Sequence, residues 1–408
     1  MTACTRLRKA RGGAARSSRH LSRRRFDGSP TAASLARIDA HKRFSMTERN
    51  NFYDCIRALA AAFVLMRHCD LLPGGSLGIN MFFCLSGFLI TQLLQQLPEL
   101  SRVNVAIFIF RRFMRVWPLM AFQVFLTLGL TVLLRSQQDV RDYIAAIPGL
   151  LTFTSSVGWV NFSAAILWTL RAEFWFYVLF ALAVYAAGRR AIFWIAISGI
   201  AVSWPAKYFI GHARQGKFGG SFPQEFDPIF YALVYLDSLM VGALCACIVA
   251  RNHPALKALY SNRVVSLWTP LALILVLATL NVRAYNIAWH FKASAVAYLT
   301  GVLILHQWAN PLKGDYEPLA TLGRISFSIY LLHAVVVDYL PLHGFPPALQ
   351  FLTVGGIVVV ASSLTYRWIE KPFILMSKTM APFRPPNRIL FSEPADPAKT
   401  TIPFQSRP

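Results

Sequence analysis

Two apolar runs joined by a tight turn, each about long enough to cross a bilayer as a helix, constrain this chain more than any other feature. They lie between Asn51 and Leu94 and read NFYDCIRALAAAFVLMRHCD, a short Gly-containing turn, then GINMFFCLSGFLITQLL. A spanning helix needs about 20 mostly apolar residues. By that measure spans, these two included, are expected near 55–72, 78–97, 116–135, 166–187, 191–210, 230–250, 264–282, 291–309, 325–341 and 349–369. The expected fold is all-α, a polytopic integral membrane protein of about ten transmembrane helices. A weaker patch at 143–155 is interrupted by Pro148 and Gly149 and reads as an interfacial or re-entrant piece on the outer side.

Composition agrees. Hydrophobic residues make up 55% and charged residues 14% of 408 residues, against about 25% charged in a soluble domain. The net charge of +23 invites a nucleic-acid reading. The placement of the basic residues excludes it, because they crowd the short segments between apolar runs, the pattern that orients membrane proteins. With the N-terminus inside, the cytoplasmic segments 1–54, 98–115, 188–190, 251–263, 310–324 and the tail hold 31 of the 41 Lys and Arg. An even number of spans then puts both termini in the cytoplasm. The six cysteines lie mostly inside apolar runs. They form neither a secreted disulfide framework nor metal-ligand spacing, so no metal is expected.

Residues 1–49 form a basic, polar extension, expected to be disordered. Its first 45 residues lack the apolar core of a secretory signal. Their Arg- and Ser-rich composition is transit-peptide-like, and translation from Met46 is the alternative. Residues 50–375 hold the spans, and 376–408 form a Pro-rich tail too short for a soluble domain.

Ionisable residues inside spans mark function by default. Arg57 and His68 are eleven residues apart, about three helical turns, so both lie on one face roughly 16 Å apart along the axis. The topology sets Arg57 at the inner end with Arg111, Arg112 and Arg115 in the loop that leads into the third span. It sets His68 and Glu173 in the outer half, with Ser86 and His333 near mid-depth. An inner basic mouth suits a phosphate-bearing ligand. An outer imidazole with a carboxylate suits activation of a hydroxyl. Each residue also has a plainer reading. His68 and His333 are hydrogen-bonded packing residues, the arginines hold orientation, and Glu173 pairs with Arg171 or Arg57. Ser86-Gly87 is a helix contact, and Asp54 caps the first helix.

An ordered set of motifs resembles the membrane-bound acyltransferase family 3, whose bacterial members include polysaccharide and Nod-factor O-acetyltransferases. Asp54-Cys55-Ile56-Arg57-Ala58-Leu59-Ala60 through His68 is similar to the family's D-x-x-R-[GA]-x-A…H, and Gly78 through Ile90 to its G-V-x-x-F-F-x-L-S-G-F-L-I. Arg112-Phe113-Met114-Arg115 with Pro118 is similar to R-x-x-R-[IV]-x-P. Trp168-Thr169-Leu170-Arg171-Ala172-Glu173 to Tyr177 is similar to W-S-L-x-x-E-x-x-F-Y. Ser326 through His333 resembles S-Y-x-x-Y-L-x-H, and Tyr366 through Pro372, with Glu370, the closing Y-R-x-[IV]-E-x-P. Ala58 and Thr169 are the departures, where Gly and Ser are common, and neither removes a titratable group.

The resemblance implies a multi-pass protein of the inner (cytoplasmic) membrane that transfers an acyl group, usually acetyl from acetyl-CoA, to a hydroxyl of an extracytoplasmic glycan. The partners implied are an acyl-CoA donor, a glycan or glycoside acceptor and membrane lipid. Catalytic residues carried over are His68, Glu173 and Arg57, with donor binding by Arg112, Arg115 and Arg57. Asp54, Ser86, Trp168, His333 and Glu370 are substrate-contacting or structural candidates. Glu173 is expected to steer His68. Two rival classes stay open on the residues alone. One is a transporter or flippase of a glycan or anionic metabolite, which would use the same buried charges without making a bond. The other is a structural membrane protein.

Overall fold

The computed structural model describes residues 51–154, 162–214, 232–278, 287–311, 316–340 and 344–383. The expectations for the leader, including the Met46 start, and for the tail beyond residue 383 lie outside the described residues. Among the described residues the elements are all helical.

Helix α1, Asn51–His68, carries Asp54 in its first turn and Arg67 and His68 in its last, the charge placement that the helix dipole favours. The chain leaves it through Asp70 at φ 56°, a left-handed conformation that Asp tolerates. In the turn that follows, the Gly74 N–H donates to the Leu277 carbonyl at 3.1 Å.

Helix α2, Gly78–Gln96, is central. Of the apolar window of Gly75–Gln96, 67% is buried, against 17% for Pro347–Met380 at the periphery. The closest neighbour of α2 is α8, Leu236–Arg251. The two cross through facing glycines. A Cβ on Gly87 would stand 1.8 Å from the Leu239 carbonyl oxygen, and one on Gly242 would stand 1.9 Å from that of Cys84. Small residues let membrane helices approach this closely.

Helix α3, Arg102–Leu134, has 33 residues and is capped by Ser101, whose hydroxyl accepts the Asn104 N–H at 3.3 Å. Here the structure corrects the sequence reading. Arg111, Arg112 and Arg115 lie on this helix and not in a loop. The segment Val103–Phe110 is apolar enough to carry the helix through the arginine cluster, so counting charges placed its start too late. Helix α4, Gln137–Leu151, opens with a Ser136–Asp139 capping box and folds back along α3. Tyr143 donates to the Val124 carbonyl at 3.1 Å and the Trp117 indole to that of Leu151 at 3.0 Å. The weak patch at 143–155 is therefore, as far as residue 151, a capped helix packed on α3.

A short helix α5, Phe162–Ala165, precedes α6, Trp168–Ala187, and α7, Ile192–Arg214. Beyond α8 come α9, Pro254–Tyr260, α10, Arg263–Ala278, and α11, Ile287–Ala309. Helix α12, Glu317–Arg324, meets α13, Ser326–Tyr339, at a 64° bend. Helix α14, Pro347–Thr365, runs through one π-turn, Tyr366–Glu370, into α15, Lys371–Met380.

Among the described residues six helices are long and apolar enough to cross a membrane, or up to eight if each bent pair is one span. This is a multi-pass membrane protein. Helices α1 and α11 lie outside that count, and α1 carries Asp54, Arg57 and Arg67 within its 18 residues.

Lys207 on α7 is fully buried. Its ammonium donates to Asp237 on α8 and to Ser294 on α11, and Ser294 in turn donates to Asp237 at 2.6 Å. Breaking such a pair from one side leaves a buried charge alone, at a cost of about 3–5 kcal/mol. Lys207→Met is expected to lower the melting temperature of detergent-solubilised protein strongly, and adding Asp237→Leu is expected to restore most of the loss.

Candidate active site

Five helices line one chamber. On α6, Thr169, Glu173 and Tyr177 stand four residues apart, and on α13, Ser326 and Tyr330 do the same; residues so spaced share a helix face. Helix α3 adds Arg112 and Arg115, α2 adds Phe82, Phe83 and Ser86, and α1 adds Arg57. The chamber is open-sided, and its empty space of about 770 Å³ includes open solvent.

Its charges are arranged asymmetrically. Glu173 accepts from Ser86 of α2 and from Tyr177 of its own helix, both on one carboxylate oxygen. Arg112 lies within electrostatic reach of Arg115, Tyr177, Arg57 and Glu173, and its guanidinium is 5.7 Å from the Phe108 ring centre. Its Nε–H is buried without a hydrogen-bond partner. Arg115 makes no hydrogen bond or ion pair among the described residues. Arg57 pairs with Asp54 at 3.2 Å, and Asp54 lies 3.9 Å from Arg324 of α12. Asp54 is thus buried in an ion cluster in the first turn of α1. Two cations with little acidic compensation in a partly closed chamber make an environment that can favour an anionic group.

Arg111 is separate from these two. Its guanidinium donates twice to the Ala381 carbonyl, at 3.0 and 2.7 Å, and lies 4.0 Å from the Phe383 ring centre. It anchors the end of α15 on α3.

The second part of the site lies at the other end of α1. His68 is half-buried, with its ring centre 4.6 Å from that of Phe162 and 5.3 Å from that of His333. Helix α5, which carries Phe162, is held from α13 through Ser163. The Ser163 backbone N–H and hydroxyl both donate to Asp338, at 3.2 and 3.1 Å. His333 is buried, and its Nδ1 meets the Tyr330 carbonyl. Tyr330 stands between the two parts. Its ring borders the chamber and lies 5.6 Å from His333, and its hydroxyl is 2.9 Å from that of Thr169.

The sequence reading set Glu173 beside His68. The structure does not. The partners of Glu173 are Ser86 and Tyr177, and it lines the arginine chamber, while His68 faces Phe162 and His333. Membrane depth alone carries no information about helix azimuth. Neither Arg171 nor Arg57 pairs with Glu173 among the described salt bridges. Trp168 packs on Phe83 and Tyr235, and Glu370 accepts from Ser328 at 3.2 Å, so these two brace the helices around the site. Tyr177 and Tyr330 were not singled out from the sequence. The signal was present, because each stands four residues from another polar residue on the same helix.

A family model described as an acyltransferase domain matches residues 50–367. The chain belongs to the acyltransferase 3 family. It is similar to the O-acetyltransferase OatA of Staphylococcus aureus, at 23% identity over 354 residues, covering 78% of this chain and 56% of OatA. It is also similar to a putative O-acetyltransferase of S. aureus strain COL, at 24% identity over 363 residues, with 78% and 56% coverage. The chain thus spans little more than half the length of these relatives. No solved structure matches it. The family's matched region contains every residue of the chamber and of the histidine pair.

Arg111 tests the division among the arginines. Hydrogen bonds from a charged donor contribute about 1.5–3 kcal/mol. Arg111→Ala is expected to lower the melting temperature and speed proteolysis near residue 381, and to leave binding of anionic ligands in the chamber unchanged.

Proposed function

We propose that this acyltransferase 3 protein is an O-acyltransferase that moves an acyl group, acetyl by default, from acyl-CoA to a hydroxyl of an extracytoplasmic glycan. The observation that carries the reading is the pairing of an arginine chamber with an imidazole along one helix. Arg57 borders the chamber, and His68, eleven residues on, lies roughly 16 Å away along the axis. That is about the reach of a pantetheine arm, so a donor with its phosphates at Arg112 and Arg115 brings its acyl end toward His68. The OatA relative and the putative O-acetyltransferase relative support acetyl as the group and a hydroxyl as the acceptor.

On this reading the protein has ten spans, with α1 and α11 added to the upper count of eight among the described residues. Both termini then lie in the cytoplasm of a cell whose inner membrane holds the protein, with the arginine chamber facing inward and His68 outward.

The donor supplies an activated thioester carbonyl. Arg112 and Arg115 bind its phosphates, and their planar forks suit bidentate contact. His68 takes the proton of the acceptor hydroxyl as its oxygen bonds to the acyl carbon. The carbon–sulfur bond breaks, and the proton passes to the departing thiolate. Glu173, held by Ser86 and Tyr177, offsets the arginine charge while no anion is bound, which lowers the cost of burying the two cations.

Removing a general base typically costs about 10²–10⁴-fold. His68→Ala is expected to lose that much transfer from labelled acetyl-CoA into envelope glycans of expressing membranes. Full transfer by a normally folded His68→Ala protein would overturn the assignment, and no label in any hydroxyl-bearing product of the wild type would favour transport. Arg115→Lys keeps the charge and loses the fork. It is expected to raise the donor KM several-fold with kcat nearly unchanged, and an unchanged donor KM would remove Arg115 from the phosphate site.

A further inference from the structure

We infer that His333 is a positioning residue for His68, its Nε2 accepting an N–H from the His68 ring and so fixing which His68 nitrogen meets the acceptor hydroxyl. The inference rests on the proposed role of His68. Four observations support it.

The first is separation. A linear N–H···N bond of about 2.9 Å between two imidazoles sets their ring centres about 5 Å apart. The rings of His68 and His333 are 5.3 Å apart with planes inclined by 34°. The second is the tautomer. A carbonyl only accepts, so the contact between His333 Nδ1 and the Tyr330 carbonyl places the proton on Nδ1 and leaves a lone pair on Nε2. The third is the state of that lone pair. His333 Nε2 is buried and has no hydrogen-bond partner, on a side chain that is 1% exposed. Orphaned buried polar atoms are uncommon and call for a physical reason. An acceptor held for the ring beside it supplies one, because His68 is the polar side chain whose ring lies against it.

The fourth is rigidity. Tyr330, whose carbonyl orients His333, is fixed by its hydroxyl against Thr169 at 2.9 Å. Asp338, further along α13, holds Ser163 and with it Phe162, whose ring centre lies 4.6 Å from that of His68 and 6.2 Å from that of His333. The His68 ring thus abuts two neighbouring rings, both set in place from α13. The arrangement is the one a carboxylate serves in a Ser-His-Asp triad, where an acceptor behind the imidazole selects its tautomer. A neutral imidazole replaces the carboxylate, which spares the interior a buried negative charge. During transfer the hydroxyl proton goes to the outward nitrogen of His68, the other nitrogen keeps its proton against His333 Nε2, and the first proton leaves with the thiolate. His333 gains and loses none.

The experiment compares His333→Leu, His333→Gln and His333→Asn with His68→Ala in the full chain. It uses labelled acetyl-CoA and membranes containing endogenous envelope glycan, reads kcat and donor KM, and includes a melting curve for each variant. A Gln side chain brings a carbonyl oxygen to the position of Nε2 and can accept without taking a proton, whereas Asn reaches only the position of Nδ1. His333→Leu and His333→Asn are expected to lose about 10²–10⁴-fold in kcat with donor KM within twofold, and His333→Gln to stay within tenfold of wild type. If Leu fails to fold, the contrast between Gln and Asn decides. His333→Leu at wild-type kcat, or Gln as inactive as Asn with normal melting, overturns the inference. His68→Ala at full activity overturns the proposed role of His68 instead, so the two failures are distinguishable.

Discussion

Charge is expensive inside a bilayer, and the layout of this bundle follows from how each charged group is compensated. Bringing an ion into the interior costs several kcal/mol even after relaxation. Lys207 meets Asp237, and the pair is closed by Ser294. Arg57 and Arg324 share Asp54. Glu173 takes two hydroxyl donors. Each solution ties helices that are distant in sequence: α7 to α8 and α11, α1 to α12, and α2 to α6. The compensated charges therefore act as registration pins for a bundle whose apolar faces would otherwise slide against lipid and against one another with little preference. Arg112 and Arg115 depart from the rule. They face a chamber that holds one carboxylate, itself engaged by hydroxyls, and an incoming anion would complete their compensation.

The separation of the two parts of the site is a consequence of helix geometry. Helix α1 is unbroken from Asn51 to His68, so the distance between the arginine chamber and the imidazole is set by backbone rise and cannot drift. Tyr330 and Thr169, joined through their hydroxyls, stand at the border of the chamber. His68 itself lies among aromatic and imidazole rings.

Much of this was legible in the sequence, for identifiable reasons. Apolar length gives the helices, and the fixed rise of α1 gives the Arg57–His68 geometry without any tertiary knowledge. Azimuth is different. Whether Glu173 turns toward His68 or toward the arginines depends on the rotation of α6 against α2. That rotation is set by the Ser86–Glu173 contact and by glycine packing between α2 and α8, neither of which leaves a periodic trace. The start of α3 was misplaced because arginines read as a loop boundary, whereas Arg111 caps α15 and Arg112 and Arg115 face the chamber. A lone cation near the end of an apolar run, as Lys207 is, likewise gives no sign of its partner thirty residues away in Asp237.

Helix α13 joins the two parts. Ser326 and Tyr330 border the chamber, His333 meets His68 one turn further on, and Asp338 holds the helix that carries Phe162. At its base Ser328 is fixed to Glu370 in the π-turn. A π-turn widens the helix by one residue locally and often marks a functional site. Here it places a carboxylate under α13 that regular α-helical spacing would rotate away by about 100°. The closing Y-R-W-I-E-K-P stretch, distant from the chemistry in sequence, thereby sets the height of α13. A slip of α13 by one turn, about 5.4 Å, would carry Tyr330 off Thr169 and His333 off His68 together. The register of one helix thus controls the chamber wall and the imidazole pair at once.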